Sequence, residues 1–411
     1  MPGPLAHLTV LDLSRVLAGP WCTQLLADLG ATVLKIEKPG TGDDTRGWGP
    51  PFLKDAAGKD TGEAAYYLAC NRGKLSVAID FTTPEGRDLV LLLARQCDVL
   101  VENYKVGGLA KYGLDYASMA AGNPRLVYCS ITGFGQDGPY AARAGYDFMI
   151  QGLGGFMSVT GERDDLPGGG PQKAGVAISD LMTGMYASTA VLAAIAQREV
   201  SGCGQYIDAC LLDTMVAMMA VMEMNYLISG VPPGRAGNAH QNIVPYQVFA
   251  CADGHLILAV GNDGQFAKFC AVAGHPEWAT DPRFARNVDR VRNRAELVPI
   301  IAAVIGTRTQ HDWLQALEPE AVPCGPINRV DQVFADPHVA ARGMRLDLPH
   351  PLSGTVPQVV APLKFSVNPL EYARAPPLLG EHTATVLGER LHIDAATLAA
   401  LARRGIIGTS A

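Results

Sequence analysis

The stretch Leu8-Thr-Val10-Leu-Asp-Leu13-Ser-Arg15-Val-Leu-Ala-Gly19-Pro20-Trp-Cys-Thr-Gln-Leu-Leu-Ala-Asp-Leu29-Gly30-Ala-Thr-Val-Leu-Lys-Ile36 decides the fold. Its apolar run over residues 8–13 reads as a buried strand, residues 19–29 as a helix and residues 31–36 as a second strand. The alternation continues downstream. Residues 75–81 read as a third strand, after which Thr83-Pro84-Glu85 opens a helix with a capping hydroxyl and a first-turn proline. Residues 99–101 and 126–130 are further strands. Strand and helix alternating over the first 135 residues predict an α/β fold with a parallel, doubly wound, Rossmann-like sheet.

Further along, Lys173-Ala-Gly-Val-Ala-Ile-Ser-Asp180-Leu-Met-Thr-Gly-Met breaks from an apolar stretch into a helix. Residues 181–197 are rich in Ala, Leu, Met and Ile and read as a buried helix. Ser179 or Asp180 is expected at its N-cap. A helix N-terminus carries partial positive charge, which favours an ionised carboxylate. An Asp with an ordinary pKa of about 3.9 is then anionic at neutral pH and available as a carboxylate nucleophile. Most Asp residues at helix starts are only caps, and that reading stands beside the catalytic one.

Pro232-Pro233-Gly234-Arg235-Ala-Gly237-Asn238 is a break in composition. After it, residues 246–251 and 255–260 flank Asp253-Gly254, the signature of a β-hairpin. The hairpin and the helices that follow predict a smaller α+β domain.

Composition narrows the function. An apolar content of 48% with 18% charged residues describes a globular chain. The net charge of −7 argues against a nucleic-acid partner. Nine scattered cysteines without a Cys-x-x-Cys argue against a metal site and suit the buried thiols of a reduced, cytoplasmic protein. Met1-Pro-Gly-Pro-Leu-Ala-His lacks the basic and apolar regions of a signal peptide. The longest apolar stretches, such as residues 215–222, fall short of the roughly 20 residues a membrane span needs, so no membrane partner is expected.

Several ordered motifs carry a resemblance. They are Val10-Leu-Asp-Leu-Ser-Arg15-Val-Leu-Ala-Gly19-Pro20, then Gly30-Ala-Thr-Val-Leu-Lys-Ile-Glu37-Lys38-Pro39-Gly40, then Asn71-Arg72-Gly-Lys74-Leu-Ser, and Asp98-Val-Leu-Val-Glu102-Asn103-Tyr104. Gly133-Phe-Gly135, Asp180, Gly202-Cys-Gly204-Gln205, Gly261-Asn-Asp-Gly264-Gln265 and Gly380-Glu-His-Thr383 follow in order. Across nearly the whole length the chain resembles the class III CoA-transferases, the family of formyl-CoA transferase and the CaiB/BaiF-like proteins. Its pattern looks more like the transferases acting on succinyl-CoA and other dicarboxylic acids.

That resemblance implies a mechanism and a set of residues. Asp180 would attack a donor acyl-CoA and carry CoA as an aspartyl thioester to a carboxylic acid acceptor, with no metal and no permanently bound cofactor. Arg15, Leu17 and Ala18, in the first strand-to-helix turn, would supply oxyanion donors and part of the acyl pocket, with Trp48 and Tyr146 beside them. Either aromatic also suits a core position. Lys38, Arg72, Lys74, Lys111 and Arg143 are the cations expected near CoA. Gly261, Asn262, Asp263, Gly264 and Gln265 would form a loop that shields the intermediate, against the plainer reading of a strand-to-helix turn. Formyl-CoA transferase has His and Gln where this chain has Arg15 and Leu17. The departure points away from formyl transfer and offers Arg15 as a partner for an acceptor's distal carboxylate, a salt bridge on the turn being the alternative. The resemblance further implies a large domain over residues 1–225, a small domain over 226–328, a segment 329–411 that returns to the large domain, and a homodimer of interlocked rings. Long apolar helices near 182–197 and 212–229 suit that assembly.

Three rivals are weighed against this reading. An acyl-CoA racemase of the same superfamily would need the His of a Gly-His-Asp motif, and this chain has Gly145-Tyr146-Asp147. A nicotinamide-dependent oxidoreductase would use Glu37 on a ribose, but the turn Ser14 to Pro20 has one glycine instead of three. A non-catalytic acyl-CoA-binding relative would have no use for Asp180.

Overall fold

The computed structural model describes residues 3–410, so Met1 and Pro2 of the N-terminal reading lie outside the described residues. Chain contacts divide it into two units. One runs to Gly155, resumes over Ala174–Glu223 and resumes again from Ala340. The other comprises Phe156–Lys173 and Met224–Val339. Sequence reading placed these boundaries at 225 and 328; it passed over the excursion Phe156–Lys173, although Gly161-Glu-Arg-Asp-Asp-Leu-Pro-Gly-Gly-Gly-Pro171 within it is a break in composition of its own.

In the first unit the described residues form a seven-stranded sheet. Its order is Ile407–Gly408, Leu75–Ile79, Thr32–Glu37, Thr9–Asp12, Val99–Glu102, Val127–Thr132 and Tyr206–Cys210. All neighbours are parallel except the edge pair of Ile407 with Ile79. The chain winds outward from Thr9–Asp12 in one direction, returns to its other side at Val99–Glu102, and winds outward again. This is the doubly wound order, whose reversal opens a crevice at the carboxyl ends of the two central strands. The apolar residues of these strands, such as Leu11, Leu34, Val77 and Leu100, are fully buried, so each strand reads as a continuous apolar run.

Helix Ala18–Asp28 packs against helix Ile178–Ser201. Gly184 permits the approach: a Cβ there would lie 2.6 Å from the Ala18 carbonyl oxygen. Ile178–Ser201 is 24 residues long and by length and composition could cross a membrane, which corrects the expectation that every apolar stretch is too short. Its buried face, from Ser179 and Thr183 to Val191 and Arg198, faces the rest of the unit. The apolar run expected over 212–229 is two helices, Leu211–Met218 and Val221–Ser229, bent by 73°. Ala220, at φ 46, breaks the helical path between them.

The second unit builds a three-stranded antiparallel sheet from Tyr246–Cys251, Gly254–Ala259 and Cys324–Gly325. Helices including Asp263–Val272, Arg294–Ile305 and Gln310–Leu317 cover it with a core of Phe266, Phe269, Leu297, Ile301 and Trp313.

Candidate active site

The crevice predicted by the strand order is present. A cleft of about 440 Å³ is lined by the turn Arg15–Ala18 after the first strand, by Asn103–Val106 after Val99–Glu102, by Thr132, Gly133 and Arg143–Tyr146, and by Asp180. Each lining segment follows a strand or begins a helix, because parallel strands all point their carboxyl ends to this edge.

Beneath the turn lies a dry ionic network. Asp12 accepts hydrogen bonds from the Ser14 backbone N–H at 2.9 Å, the Thr23 hydroxyl at 2.6 Å and Lys74 Nζ at 3.1 Å. Burial alone would raise its pKa, but Lys74 and Lys35 outweigh that and hold the carboxyl below its ordinary value. Lys35 reaches the Ser14 carbonyl at 2.9 Å and Asp43 at 2.9 Å. These bonds hold the turn so firmly that Val16 takes φ 70, a left-handed conformation that disfavours a β-branched residue. Asn103 completes the clamp, accepting from Arg15 N at 2.8 Å and donating to Arg15 O at 2.6 Å. Helix Ala18–Asp28 therefore starts from a rigid turn, and no side chain caps it. Its first N–H groups, at Leu17 and Ala18 in the cleft wall, are left to meet an anion.

Asp180 stands in the first turn of helix Ile178–Ser201, not at its N-cap, which is Ala177 with no side-chain bond. The cap comes from elsewhere in sequence. Asp147 Oδ1 accepts from Ser179 N at 2.8 Å and Asp180 N at 3.4 Å, and Asp147 Oδ2 accepts from Gln151 at 2.7 Å. Gln151 in turn accepts from Ala174 N at 2.8 Å. Among the described residues no donor meets the Asp180 carboxylate itself. Burial first, and then the negative charge of Asp147, push its pKa up to about 7. The expectation of a fully ionised Asp180 is thus corrected: desolvation outweighs the helix dipole. A half-buried carboxylate without hydrogen bonds, facing open helix N–H groups across a cleft, is equipped for nucleophilic attack on a carbonyl.

The model for CoA-transferase family III matches residues 5–383. The chain belongs to this family. It is 53% identical over 386 residues to a succinate–glutarate CoA-transferase of Agrobacterium fabrum, covering 94% of this chain and 95% of that one. It is 41% identical over 404 residues to the human succinyl-CoA:glutarate CoA-transferase, covering 98% and 90%. A crystal structure of a CaiB/BaiF family protein from Brucella suis superposes with a TM-score of 0.83 at 50% identity, covering 95% of this chain and all of that one. The protein is an enzyme of the CoA-transferase class.

The other expected residues of this CoA-transferase fall into three groups. Arg15, Leu17, Ala18, Tyr146 and Arg143 line the same cleft as Asp180. Arg15 extends over the Tyr104 ring at 5.2 Å and pairs with Asp44 at 3.0 Å, both charges being exposed. Arg143 lies over Phe134 and Tyr140. Trp48 packs edge-on against Tyr66 at 5.2 Å. Burial and then the charge of Asp180 raise the Tyr66 phenol to about 12, so this aromatic pair neighbours Asp180.

Arg72 and Lys74, expected near CoA, are buried in ion pairs and do not line the cleft. Arg72 is buried, with its guanidinium on Asp28 at 2.6 and 3.0 Å, and Lys74 is fully buried against Asp12, Asn71 and the Pro20 carbonyl. Lys74 joins the network beneath the turn, whereas Arg72 ties the far end of helix Ala18–Asp28 to Gln358 and Val359. Lys38 and Lys111 are exposed outside the cleft lining. Glu37, the acid an oxidoreductase would place on a ribose, is buried and bidentate with Arg46 at 2.8 Å.

In the second unit, Gly261–Gln265 has the geometry of a helix start. Asn262 caps helix Asp263–Val272 by accepting from Gln265 N at 2.9 Å, and Gln265 accepts from Gly261 N at 2.8 Å. Asp263 holds the buried Arg290 at 2.7 Å. Neither Gly261 nor Gly264 takes a positive φ, so the conformational freedom expected of these glycines is not used. Sequence reasoning missed Asn103, Lys105 and Asp147. The first and last lay inside quoted motifs, but only their three-dimensional partners reveal what they do.

Proposed function

We propose that the enzyme transfers CoA from succinyl-CoA to a small dicarboxylic acid through an aspartyl-CoA thioester on Asp180. The observation that carries this reading is the Asp180 carboxylate, half-buried, free of donors and opposite the uncapped start of helix Ala18–Asp28. A carboxylate oxygen attacks the thioester carbonyl, the C–S bond breaks and CoA leaves as thiolate. The resulting mixed anhydride is attacked by that thiolate at the aspartyl carbonyl, releasing succinate and leaving the aspartyl thioester. An acceptor carboxylate attacks next and expels the thiolate. The thiolate then attacks the acceptor's acyl carbonyl and restores Asp180. Each addition develops an oxyanion, and the N–H groups of Leu17 and Ala18 are its donors.

Relatives named for succinate, succinyl-CoA and glutarate support a dicarboxylate acceptor. Arg15, exposed at the cleft, lying over the Tyr104 ring and paired with an exposed Asp44, is the guanidinium for the distal carboxylate. Arg143, with Lys105 as an addition, is the cation for CoA phosphate. An interlocked homodimer would cover the apolar residues Met224, Tyr226, Leu227 and Ile228, which are exposed on helix Val221–Ser229. Nine free thiols suit the reducing cytoplasm.

The test is intact-protein mass after mixing with succinyl-CoA and no acceptor. A CoA-sized adduct on wild type, cleaved by hydroxylamine and missing from Asp180→Ala, is expected. A persistent adduct on the variant removes Asp180 from the mechanism.

A further inference from the structure

Asp147 has no part in the steps above, yet its carboxylate is spent on the nucleophile's own backbone. We propose that Asp147 is a positioning residue: by capping the helix from outside, it occupies the N–H groups of Ser179 and Asp180, keeps the Asp180 carboxylate free of them and holds a second carboxylate beside it. The inference rests on the reading of Asp180 as nucleophile.

The geometry supports each half. An Asp in the first turn of a helix ordinarily folds back onto the free N–H groups there. In this chain the N–H groups of Ser179 and Asp180 are already taken by Asp147 Oδ1. The Asp180 side chain has no donor to turn to, and it points into the cleft. Asp147 is itself fixed, since Gln151 donates to its second oxygen and Gln151 is tied to Ala174 N. Two carboxylates are thereby held around one peptide unit, and the negative charge of Asp147 raises the proton affinity of Asp180.

The charged and titratable groups facing Asp180 come from several elements. Asp147 stands on helix Asp147–Leu153, Tyr66 on helix Ala65–Ala69, and Arg15, Lys105, Arg143 and Tyr146 on the cleft wall. Of these, Asp147 is the one that acts on Asp180 in the unliganded cleft, raising its proton affinity after burial has done so.

Asp147→Asn removes the charge and keeps an amide oxygen for Ser179 N, at the loss of the bond from Gln151, whose Nε2 donor then meets the new Nδ2 donor. The measurement is the pH dependence of single-turnover aspartyl-CoA formation from succinyl-CoA without acceptor, by quenched intact mass. In Asp147→Asn the acid limb is expected to move down by about one pH unit with the plateau rate kept within about threefold. Asp147→Ala, which also loses the cap, is expected to lose about tenfold at the plateau. An acid limb that stays in place in the Asn variant overturns the proposal, whatever its effect on stability. If wild type forms no adduct at all, the reading of Asp180 fails. Carbodiimide labelling of the Asp180 peptide against pH then decides the present inference without any donor: labelling that titrates at the same pH in wild type and Asp147→Asn refutes it, and a downward shift upholds it.

Discussion

Gly184 sits so close to Ala18 that a Cβ on it would lie 2.6 Å from the Ala18 carbonyl oxygen. Gly184 is four residues beyond Asp180, on the same face of the helix. The contact therefore sets the distance between the nucleophile and the open N-terminus of helix Ala18–Asp28. Gly184→Ala gains about 1 kcal/mol of helix propensity but forces the helices apart at a cost of about 1–3 kcal/mol. Unfolding free energy is expected to change little while thioester formation falls on the order of a hundredfold. Stopped-flow turnover beside denaturant unfolding checks the split.

Lys74→Met is expected to act on the fold before it acts on CoA. It leaves Asp12 buried without its cation, at a cost of about 3–5 kcal/mol. Asp12 has a depressed folded pKa, so in wild type its contribution is present above the unfolded value near 3.9 and is lost as pH falls through the folded one. The gap between variant and wild type is accordingly widest at neutral pH and narrows in acid. Urea unfolding at about pH 3 and pH 7 reads this, and an undiminished stability with a selective rise in KM for the acyl-CoA returns Lys74 to the CoA site.

Asp180 has the opposite sign. Its folded pKa of about 7 lies above the unfolded carboxylate value, so its contribution to stability is complete below about pH 4 and fades as pH rises through 7. Asp180→Asn, of the same shape and without the charge, is expected to be inactive and, at pH 8, more stable than wild type by roughly 2 kcal/mol after discounting for partial exposure. Below pH 4 the two converge. Thermal unfolding across that range decides it.

Arg15→Ala separates recognition from stability. An exposed pair such as Arg15–Asp44 contributes less than about 1 kcal/mol, so unfolding should hardly move. Turnover with dicarboxylate acceptors is expected to fall about tenfold or more in kcat/KM while monocarboxylates are unaffected. Equal losses on both acceptor classes would assign Arg15 to the turn alone.

Asp263→Ala tests the second unit. It takes the half-exposed carboxylate from the fully buried Arg290, which keeps the carbonyls of Val244, Phe284 and Ala285, and a loss of about 1 kcal/mol is expected, read as faster hydrogen exchange in helices Asp263–Val272 and Asn287–Arg292.

The parallel sheet was legible because buried parallel strands write continuous apolar runs, and residues 8–13, 31–36 and 75–81 did so within two residues of the observed strands. Motif order singled out Asp180, and the structure places it in the cleft wall. Arg72 and Lys74 were misread because a cation in a motif has the same letter whether it serves a ligand or a buried carboxylate, and only depth tells them apart. The break at Ala220 was hidden for a similar reason, since an apolar run does not record where the backbone turns.

What the sequence by itself determined is the list of parts: the winding of the sheet, the helix that begins at the nucleophile, and the family's chemistry. These follow from local periodicity and short motifs, which need no knowledge of distant neighbours. Tertiary structure alone decided which charges face each other: Lys74 on Asp12, Asp147 on the Asp180 backbone, Asn103 on Arg15. Partners 88, 62 and 33 residues apart in sequence become neighbours only when the strands align their carboxyl ends. A carboxylate's pKa and reactivity are set by burial and nearby charge, and both are properties of that arrangement.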